Sequence, residues 1–329
     1  MSATHKRKRS LENIAVDVAK VRRFTSSLHA LKEELLGIDE TEAEMAEVMK
    51  HVDELERILK ESKRTKITFS SATHLELANL GVKTGRLIFH KATIKSLGGQ
   101  VPESVEDELK DLCGRLVKIY RRVNMNFEVG ARMVLDAILL SVGEITTILK
   151  PQKDVAIIPE MKLEDAPFSK DGYQVVLGGS IDYGIVEYMV DEDDDTRGRL
   201  VGPGLPNYIF EVASGHIFLV EAKQQQAIGG LMAFIPQAVT QAMATSKNGN
   251  LETVRFCLSD GHYFIFFVLR RNHDEFTYYE SNSLRLYFPD STQFDEKVRE
   301  ITFLLLEWLK AEPTKDLYEL VPPVVLENS

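Results

Sequence analysis

Two short segments in the second half of the chain combine charged side chains with apolar runs. Asp182 lies near the start of a β-branched and aromatic run, and Glu221 and Lys223 end a second apolar run. Charged residues rarely end a buried strand without a specific role. Because side chains alternate along a strand, Glu221 and Lys223 project from one face and Ala222 from the other. If the two strands are neighbours, Asp182 and Glu221 converge on one point.

Two convergent carboxylates are suited to a hard cation such as Mg²⁺, or Mn²⁺ in its place, because these ions take oxygen ligands. The backbone carbonyl of Ala222 is a candidate third ligand beside Asp182 and Glu221. The ammonium of Lys223 can hold a phosphate oxygen and activate the attacking water, while the cation neutralises charge that develops during the reaction. These residues therefore predict a metal-dependent site that cleaves phosphodiester bonds.

The tripeptide pattern of an acidic residue, any residue and lysine depends on its context for meaning. It begins at Glu61, Glu108, Glu160, Glu221 and Asp295. The first two copies and the last fall in predicted helices, and Glu160 belongs to a polar stretch with no predicted strand before it. Only the copy at Glu221 ends an apolar strand, follows an Asp-bearing strand and precedes a helix.

The apolar spacing predicts helices in the first 150 residues and mainly strands after Pro151. The predicted helices cover residues 11–35, 41–59, 73–80, 103–122 and 127–149. The predicted strands cover residues 173–177, 181–190, 208–212, 217–220, 254–258, 263–269 and 284–288. Two further helices are predicted at residues 230–244 and 293–310. Glycines at positions 85, 98 and 99 are interpreted as loop markers.

The order of helix, Asp-bearing strand, strand ending in Glu-x-Lys, helix and further strand resembles the core of the PD-(D/E)XK nuclease superfamily. The resemblance covers residues 126–269. It implies that Asp182 and Glu221 are metal ligands and that Lys223 is the catalytic lysine. The chain departs from the family pattern at Ile181, which replaces the proline of the motif, and in an insertion at residues 191–206.

The same resemblance implies two further site residues. An acidic residue often stands on the helix before the sheet, and Glu128 matches that place as a metal ligand. Branches resembling the RecB nucleases carry a glutamine in the helix after the lysine, which Gln237 matches as a catalytic residue, although Gln241 stands where those branches have tyrosine. The alternative for Glu128 is a carboxylate that stabilises a helix start, and Gln237 can equally bond the backbone after Pro236.

Composition and charge restrict the classes of protein that fit this sequence. The chain has 329 residues, 44% of them hydrophobic, and no apolar run has the length of a membrane helix. Two cysteines, far apart, exclude a disulfide framework and a paired-cysteine zinc site. Residues 1–150 carry 25 basic and 22 acidic side chains, against 15 and 28 in residues 151–329. An intracellular protein is expected, with the tail Lys6-Arg7-Lys8-Arg9 a candidate nuclear-localisation signal or DNA-contacting arm.

The sequence therefore predicts an α/β (α+β) fold with a restriction-endonuclease-like mixed sheet flanked by helices. Three regions are expected: a basic tail at residues 1–10, an all-helical N-terminal domain at 11–125 and a nuclease-like domain at 126–329. The predicted function is Mg²⁺-dependent hydrolysis of nucleic acid, with DNA as the expected substrate. No membrane partner is expected, and the sequence leaves the oligomeric state open. The alternatives are an inactive nuclease-fold module that binds nucleic acid and a helical interaction protein with a scaffold sheet. For Asp182, Glu221 and Lys223 the alternative is a salt-bridged sheet end.

Overall fold

The described part of the chain begins at residue 65. The computed structural model describes residues 65–190, 195–202, 208–212, 217–224, 230–287, 289 and 292–323. The basic tail at 1–10 and the helices predicted at 11–35 and 41–59 lie outside these residues. Contacts divide the chain into two compact units, residues 1–65 with 169–175 and residues 66–168 with 176–329. The candidate site residues discussed below lie in the second unit.

Within the described residues, ten strands form one mixed sheet. In chain order they are β1 (Thr65–Thr68), β2 (Lys83–Phe89), β3 (Lys153–Lys170), β4 (Tyr173–Met189), β5 (Phe218–Ala222), β6 (Thr253–Ser259), β7 (Tyr263–Asn272), β8 (Glu275–Glu280), β9 (Leu284–Arg285) and β10 (Tyr318–Val321). Their order across the sheet is β1-β4-β5-β6-β7-β8-β2-β10, with β3 paired to β4 and β9 to β7. The strands β5 and β6 are parallel, as are β2 and β8, whereas β4 is antiparallel to β5. A large mixed sheet is therefore present, as predicted.

Eight α-helices and two short 3₁₀ turns accompany these strands within the described residues. The helices are α1 (His74–Asn79), α2 (Lys91–Leu97), α3 (Glu103–Arg122), α4 (Glu128–Leu149), α5 (Asp195–Val201), α6 (Tyr208–Val212), α7 (Ile235–Asn248) and α8 (Phe294–Leu309). The 3₁₀ turns are Phe69–Ser71 and Gly230–Phe234. The helices predicted at 73–80, 103–122, 127–149, 230–244 and 293–310 are confirmed to within a few residues. Among the described residues no helix has both the length and the apolar character needed to span a bilayer.

The main core lies between one face of the sheet and the helices α3, α4 and α8. It contains alternate residues of β5, namely Phe218, Val220 and Ala222. In α3 the buried positions Leu109, Leu112 and Leu116 recur every three or four residues, which gives the helix one apolar face. Because residues alternate along a strand, Leu219 and Glu221 of β5 point away from this core.

The helix α7 covers the opposite face and packs against β6. It connects β5 to β6, so the two parallel strands and the helix between them form a crossover unit. Pro236 occupies the first turn of α7, where its missing N–H has no intrahelical partner to lose. This arrangement places the first turns of α7 beside the residues at the end of β5.

Several sequence-based expectations are corrected by the sheet. Residues 208–212 form helix α6 rather than a strand; both edges of β5 are occupied by β4 and β6, so no strand position is left beside it. Their β-branched and aromatic composition reflects fit to a half-buried surface more than a backbone preference. The strands β1, β2, β3, β8 and β10 were not predicted, and the predicted strands 173–177 and 181–190 form the single strand β4.

The proposed boundary at residues 125 and 126 does not separate two compact units. The strand β2 pairs with β8 and β10, and α3 packs on α4, so residues 66–125 belong to the same unit as the rest of the sheet. The region before residue 126 is also not all-helical, because β1 and β2 lie within it. Periodicity within a segment carries no information about which distant segment covers it.

Gly85, interpreted above as a loop marker, lies inside β2 at a point of close approach. A Cβ atom there would lie 2.5 Å from the Tyr279 ring and 2.7 Å from the Val321 carbonyl oxygen. We expect Gly85→Ala to lower the free energy of unfolding by about 1–3 kcal/mol, because backbone must move to admit the methyl group. Gly114→Ala in α3 is the control, since nothing lies within 4 Å of its Cβ position. It should raise stability by about 0.5–1 kcal/mol. Urea unfolding followed by circular dichroism measures both changes, and equal effects would contradict the packing argument.

Candidate active site

The pairing of β4 with β5 brings Asp182 and Glu221 together, with Asp182 in the middle of β4 and Glu221 next to the last residue of β5. The strand register pairs Tyr183 with Val220 and Gly184 with Leu219, so its continuation sets Asp182 opposite Glu221. At this point the Asp182 carboxylate replaces a backbone partner, since its Oδ2 accepts a hydrogen bond of 2.7 Å from the Ala222 N–H. The two strands are thus neighbours, and the insertion between them does not separate them.

Glu221 is buried and accepts hydrogen bonds from three side chains. Its carboxylate is 3% exposed. Lys223 Nζ lies 2.6 Å from Oε1, which also accepts from the amide of Gln237. Gln241 donates to Oε2 at 2.7 Å, and the same amide lies 3.2 Å from the Ser180 carbonyl oxygen. One charged donor and two neutral donors therefore compensate the burial of this charge.

Lys223 lies immediately beyond β5 and is also buried, with 8% of its surface exposed. Its backbone N–H donates to the Ser259 carbonyl oxygen at 2.8 Å, which extends the parallel pairing with β6 by one residue. Its ammonium faces the Phe234 ring at 5.4 Å from the centroid and lies 3.9 Å from Glu128 Oε2. The side chain is thereby held on the same face as Glu221, as the strand period predicts.

The first turns of α4 supply a carboxylate and an arginine. Glu128 is the first residue of α4 and is 40% exposed in its side chain. One turn later, Arg132 Nη2 lies 3.1 Å from Glu128 Oε1 and also bonds Asp182 Oδ1. Its Nη1 bonds Glu160 on β3. The structure thus brings Glu128 and Gln237, from α4 and α7, to the cluster formed by Asp182, Glu221 and Lys223.

Three residues of this cluster had been given no role from the sequence. Arg132 follows Glu128 by four residues on one helix, a spacing that places both on one face and could have identified it. Glu160 was set aside because no strand was predicted before it, but it lies within β3. Gln241 was noted only as a departure from the family pattern, and it bonds Glu221 directly.

Burial, followed by the negative charge of Glu221, raises the pKa of Asp182 to about 7. The Ala222 N–H, Arg132 and Lys223 oppose this shift by favouring the ionised carboxylate. The cluster therefore holds an excess of carboxylates, Glu128, Glu160, Asp182 and Glu221, over its two cations. An additional positive charge at this place would be electrostatically favourable.

The oxygen atoms of this cluster can be compared with the needs of a divalent cation. Glu128 Oε1 and Asp182 Oδ1 both contact a single nitrogen, Arg132 Nη2, so two carboxylate oxygens already share one positively charged point. Oxygen-only donors of this kind fit Mg²⁺ or Mn²⁺. Within the described residues no group of three or more acidic, histidine or cysteine side chains is arranged to hold a metal ion. Ala222 contacts the cluster through its backbone N–H, which donates to Asp182. The role of its carbonyl oxygen as a metal ligand stays a prediction.

Comparisons with known proteins add no relative. No protein-family model matches the sequence, and a search of curated proteins finds no match. The functional interpretation therefore depends on the geometry of this cluster.

The raised pKa of Asp182 predicts a pH-dependent stability. The ordinary pKa of an aspartate is 3.8, and that of Asp182 in the folded protein is about 7. Between pH 3.8 and about 7 the folded protein therefore keeps a proton on Asp182 that the unfolded chain has lost. The free energy of unfolding should therefore fall as pH rises through this window, by on the order of 2–4 kcal/mol. Asp182→Asn should remove most of this decline. Urea unfolding at pH 4.5 and pH 8 tests it, with Asp165→Asn as the control, because Asp165 is half exposed and pairs with Lys66. A decline of equal size in Asp182→Asn and the parent would contradict the assignment.

Proposed function

We propose that the protein is a metal-dependent phosphodiesterase that cleaves nucleic acid at this cluster. The observation that carries the proposal is the convergence of Asp182 in β4 with Glu221 and Lys223 at the end of β5, with Glu128 approaching from a helix. Each group has a polarity that the hydrolysis of a phosphodiester requires: oxygens for a divalent cation and an ammonium for a phosphate oxygen.

The order of elements around the cluster supports the proposal. The helix α4 is followed by the paired strands β3 and β4, by the short helices α5 and α6, by β5, which is antiparallel to β4, then by α7, and then by β6, which is parallel to β5. Apart from α5 and α6, this order resembles that of the PD-(D/E)XK core, in which an Asp-bearing strand is followed by a strand ending in Glu-x-Lys, a helix and a further strand. An order of elements is a longer pattern than the short sequence motif, so it carries more weight.

In the proposed reaction each side chain has a separate task. Asp182 and Glu128 would hold the divalent cation, with Glu221 beside them. When bound, the cation would supply positive charge to the phosphoryl oxygens and activate the water. Lys223 would bind a non-bridging phosphate oxygen and stabilise the charge that develops there. Gln237 and Gln241 would fix the orientation of the Glu221 carboxylate through their hydrogen bonds.

A basic surface on α3 is consistent with a polyanionic substrate. Lys118, Arg121 and Arg122 line one concavity near the C-terminal end of α3. Between them Tyr120 donates a hydrogen bond of 2.5 Å to the Gly261 carbonyl oxygen, in the turn that follows β6. The basic end of α3 is thus fixed to the turn that begins next to Ser259, the partner of the Lys223 backbone. Such a surface attracts phosphates although the chain is acidic as a whole.

A purely structural salt bridge explains this cluster less well. One buried pair needs equal numbers of charges, whereas here four carboxylates share two cations. Asp182 and Glu221 are the buried carboxylates of this group, and a local excess of negative charge around them would be relieved by a further cation. The inactive nucleic-acid-binding module is separated from the proposed enzyme by turnover in the experiment that follows.

Substitutions at Lys223 and Glu128 should affect different steps. Lys223→Ala should leave Mn²⁺ affinity within a few-fold of the parent and lower the cleavage rate by about 10²-fold or more, because it removes a phosphate-stabilising charge and no ligand. Glu128→Gln should weaken Mn²⁺ binding by about tenfold or more, because it removes a ligand charge. Calorimetry and cleavage of single- and double-stranded DNA and RNA, with Mg²⁺, Mn²⁺ or chelator, measure the two steps.

The control for Lys223 is Lys310→Ala. Lys310 pairs with the buried Glu307 at the end of α8, so its removal tests the loss of a lysine from a buried carboxylate elsewhere in the same unit. It should leave metal affinity and cleavage unchanged. A parent chain that binds Mn²⁺ and nucleic acid without cleavage would favour the inactive module, and unfolding of Lys223→Ala would favour a structural salt bridge.

A further inference from the structure

Arg132 connects three carboxylates at the edge of the cluster. Its Nη2 bonds Asp182 Oδ1 and lies 3.1 Å from Glu128 Oε1, and its Nη1 bonds Glu160. The arginine side chain is 28% exposed, whereas that of Asp182 is 9% exposed and that of Glu160 is 58% exposed. The guanidinium thus extends from a buried carboxylate to one at the surface.

This nitrogen lies between the same two oxygens that the proposed function assigns to a divalent cation. Mg²⁺ and Mn²⁺ bind carboxylate oxygens at about 2.0–2.2 Å, which leaves no space for an N–H donor between those oxygens. Two positive groups at one point would also repel each other strongly in a partly buried site. The guanidinium and the cation therefore exclude each other at Asp182 and Glu128.

The exposed end of Arg132 gives the displaced guanidinium a place to go. Glu160 is at the surface, so the side chain can turn outward without crossing the core. A guanidinium released from two carboxylates presents a planar pair of N–H donors, which matches two phosphate oxygens. The group would then be free to bind phosphate only when the cation is present.

We propose that Arg132 is the resident counter-ion of Asp182 and Glu128, that a divalent cation displaces it, and that the freed guanidinium binds a phosphate of the substrate. The inference rests on the proposed function and adds to it an order of binding. The cation binds first, and its binding makes the arginine available for nucleic acid. Cation and substrate should therefore bind with positive coupling.

The first arm of the experiment measures Mn²⁺ binding to the full chain without nucleic acid, by calorimetry. Arg132→Met removes the competing charge and should bind Mn²⁺ about tenfold more tightly than the parent, or more. Arg132→Gln should also tighten Mn²⁺ binding, because it removes the charge, although its amide can still donate to Asp182. This variant replaces Arg132→Met in the experiment if the methionine variant is unstable. Arg299→Met is the control, because Arg299 is 25% exposed and pairs with Glu106 away from the cluster.

The second arm measures binding of a fluorescent DNA oligonucleotide by anisotropy, in Ca²⁺ and in chelator. Ca²⁺ should tighten binding to the parent, and Arg132→Met should bind about tenfold more weakly than the parent in Ca²⁺ despite its filled cation site. Arg299→Met should behave as the parent in both solutions. A merely structural role of Arg132 would weaken metal binding, so the opposite signs in the two arms distinguish the proposal.

Three results would overturn the inference in separable ways. Mn²⁺ affinity that is equal or lower in the folded Arg132 variants would refute competition while leaving the phosphodiesterase proposal intact. Tighter Mn²⁺ binding with unchanged oligonucleotide affinity would refute the phosphate-binding role alone. A parent chain that binds no Mn²⁺ would refute both this inference and the proposed function. That case is recognised because calorimetric titration of the parent chain with Mn²⁺ then gives no binding signal.

Discussion

The burial of Glu221 at the end of β5 is the constraint on which the rest of the site depends. All five residues of β5 are buried, and a carboxylate placed there without partners would cost several kcal/mol. The cost is offset by donors from two directions, Lys223 from the strand itself and the two glutamines from α7. The position of α7 is therefore linked to the charge on β5 as well as to apolar packing.

A second consequence concerns the antiparallel pairing with β4. The backbone hydrogen bonding between these strands ends where the Asp182 carboxylate accepts a hydrogen bond from the Ala222 N–H. A side chain replaces a backbone acceptor, so a carboxylate lies at the end of the β4–β5 pairing where a neutral carbonyl would otherwise stand. This charge lies opposite that of Glu221, and it attracts Arg132 from the first turns of α4. Two carboxylates in adjacent strands thus recruit cations from the elements on either side.

The imbalance of charge connects this geometry to the proposed chemistry. Other ion pairs in the same unit hold no excess of carboxylates, as with Glu187 between Lys150 and Lys153 or Arg299 with Glu106. Only partial neutralisation is found where Asp182, Glu128, Glu160 and Glu221 meet. Because buried like charges are unstable together, a site of this kind is maintained most readily where a cation binds during function.

The amino-acid pattern was sufficient to predict the elements with strong periodicity and the residues whose charge differs from that of their surroundings. The helices α3 and α4 follow from apolar residues at every third or fourth position, and Asp182, Glu221 and Lys223 were identified because they are charged residues in or directly after apolar strands. Only the folded chain shows that β1, β2, β3, β8 and β10 belong to the sheet, that residues 208–212 form a helix, and that Glu160 and Gln241 join the cluster. These outcomes depend on which distant segments occupy each strand edge and on which polar groups lie near a buried charge. Both are properties of packing, and local residue patterns do not contain them.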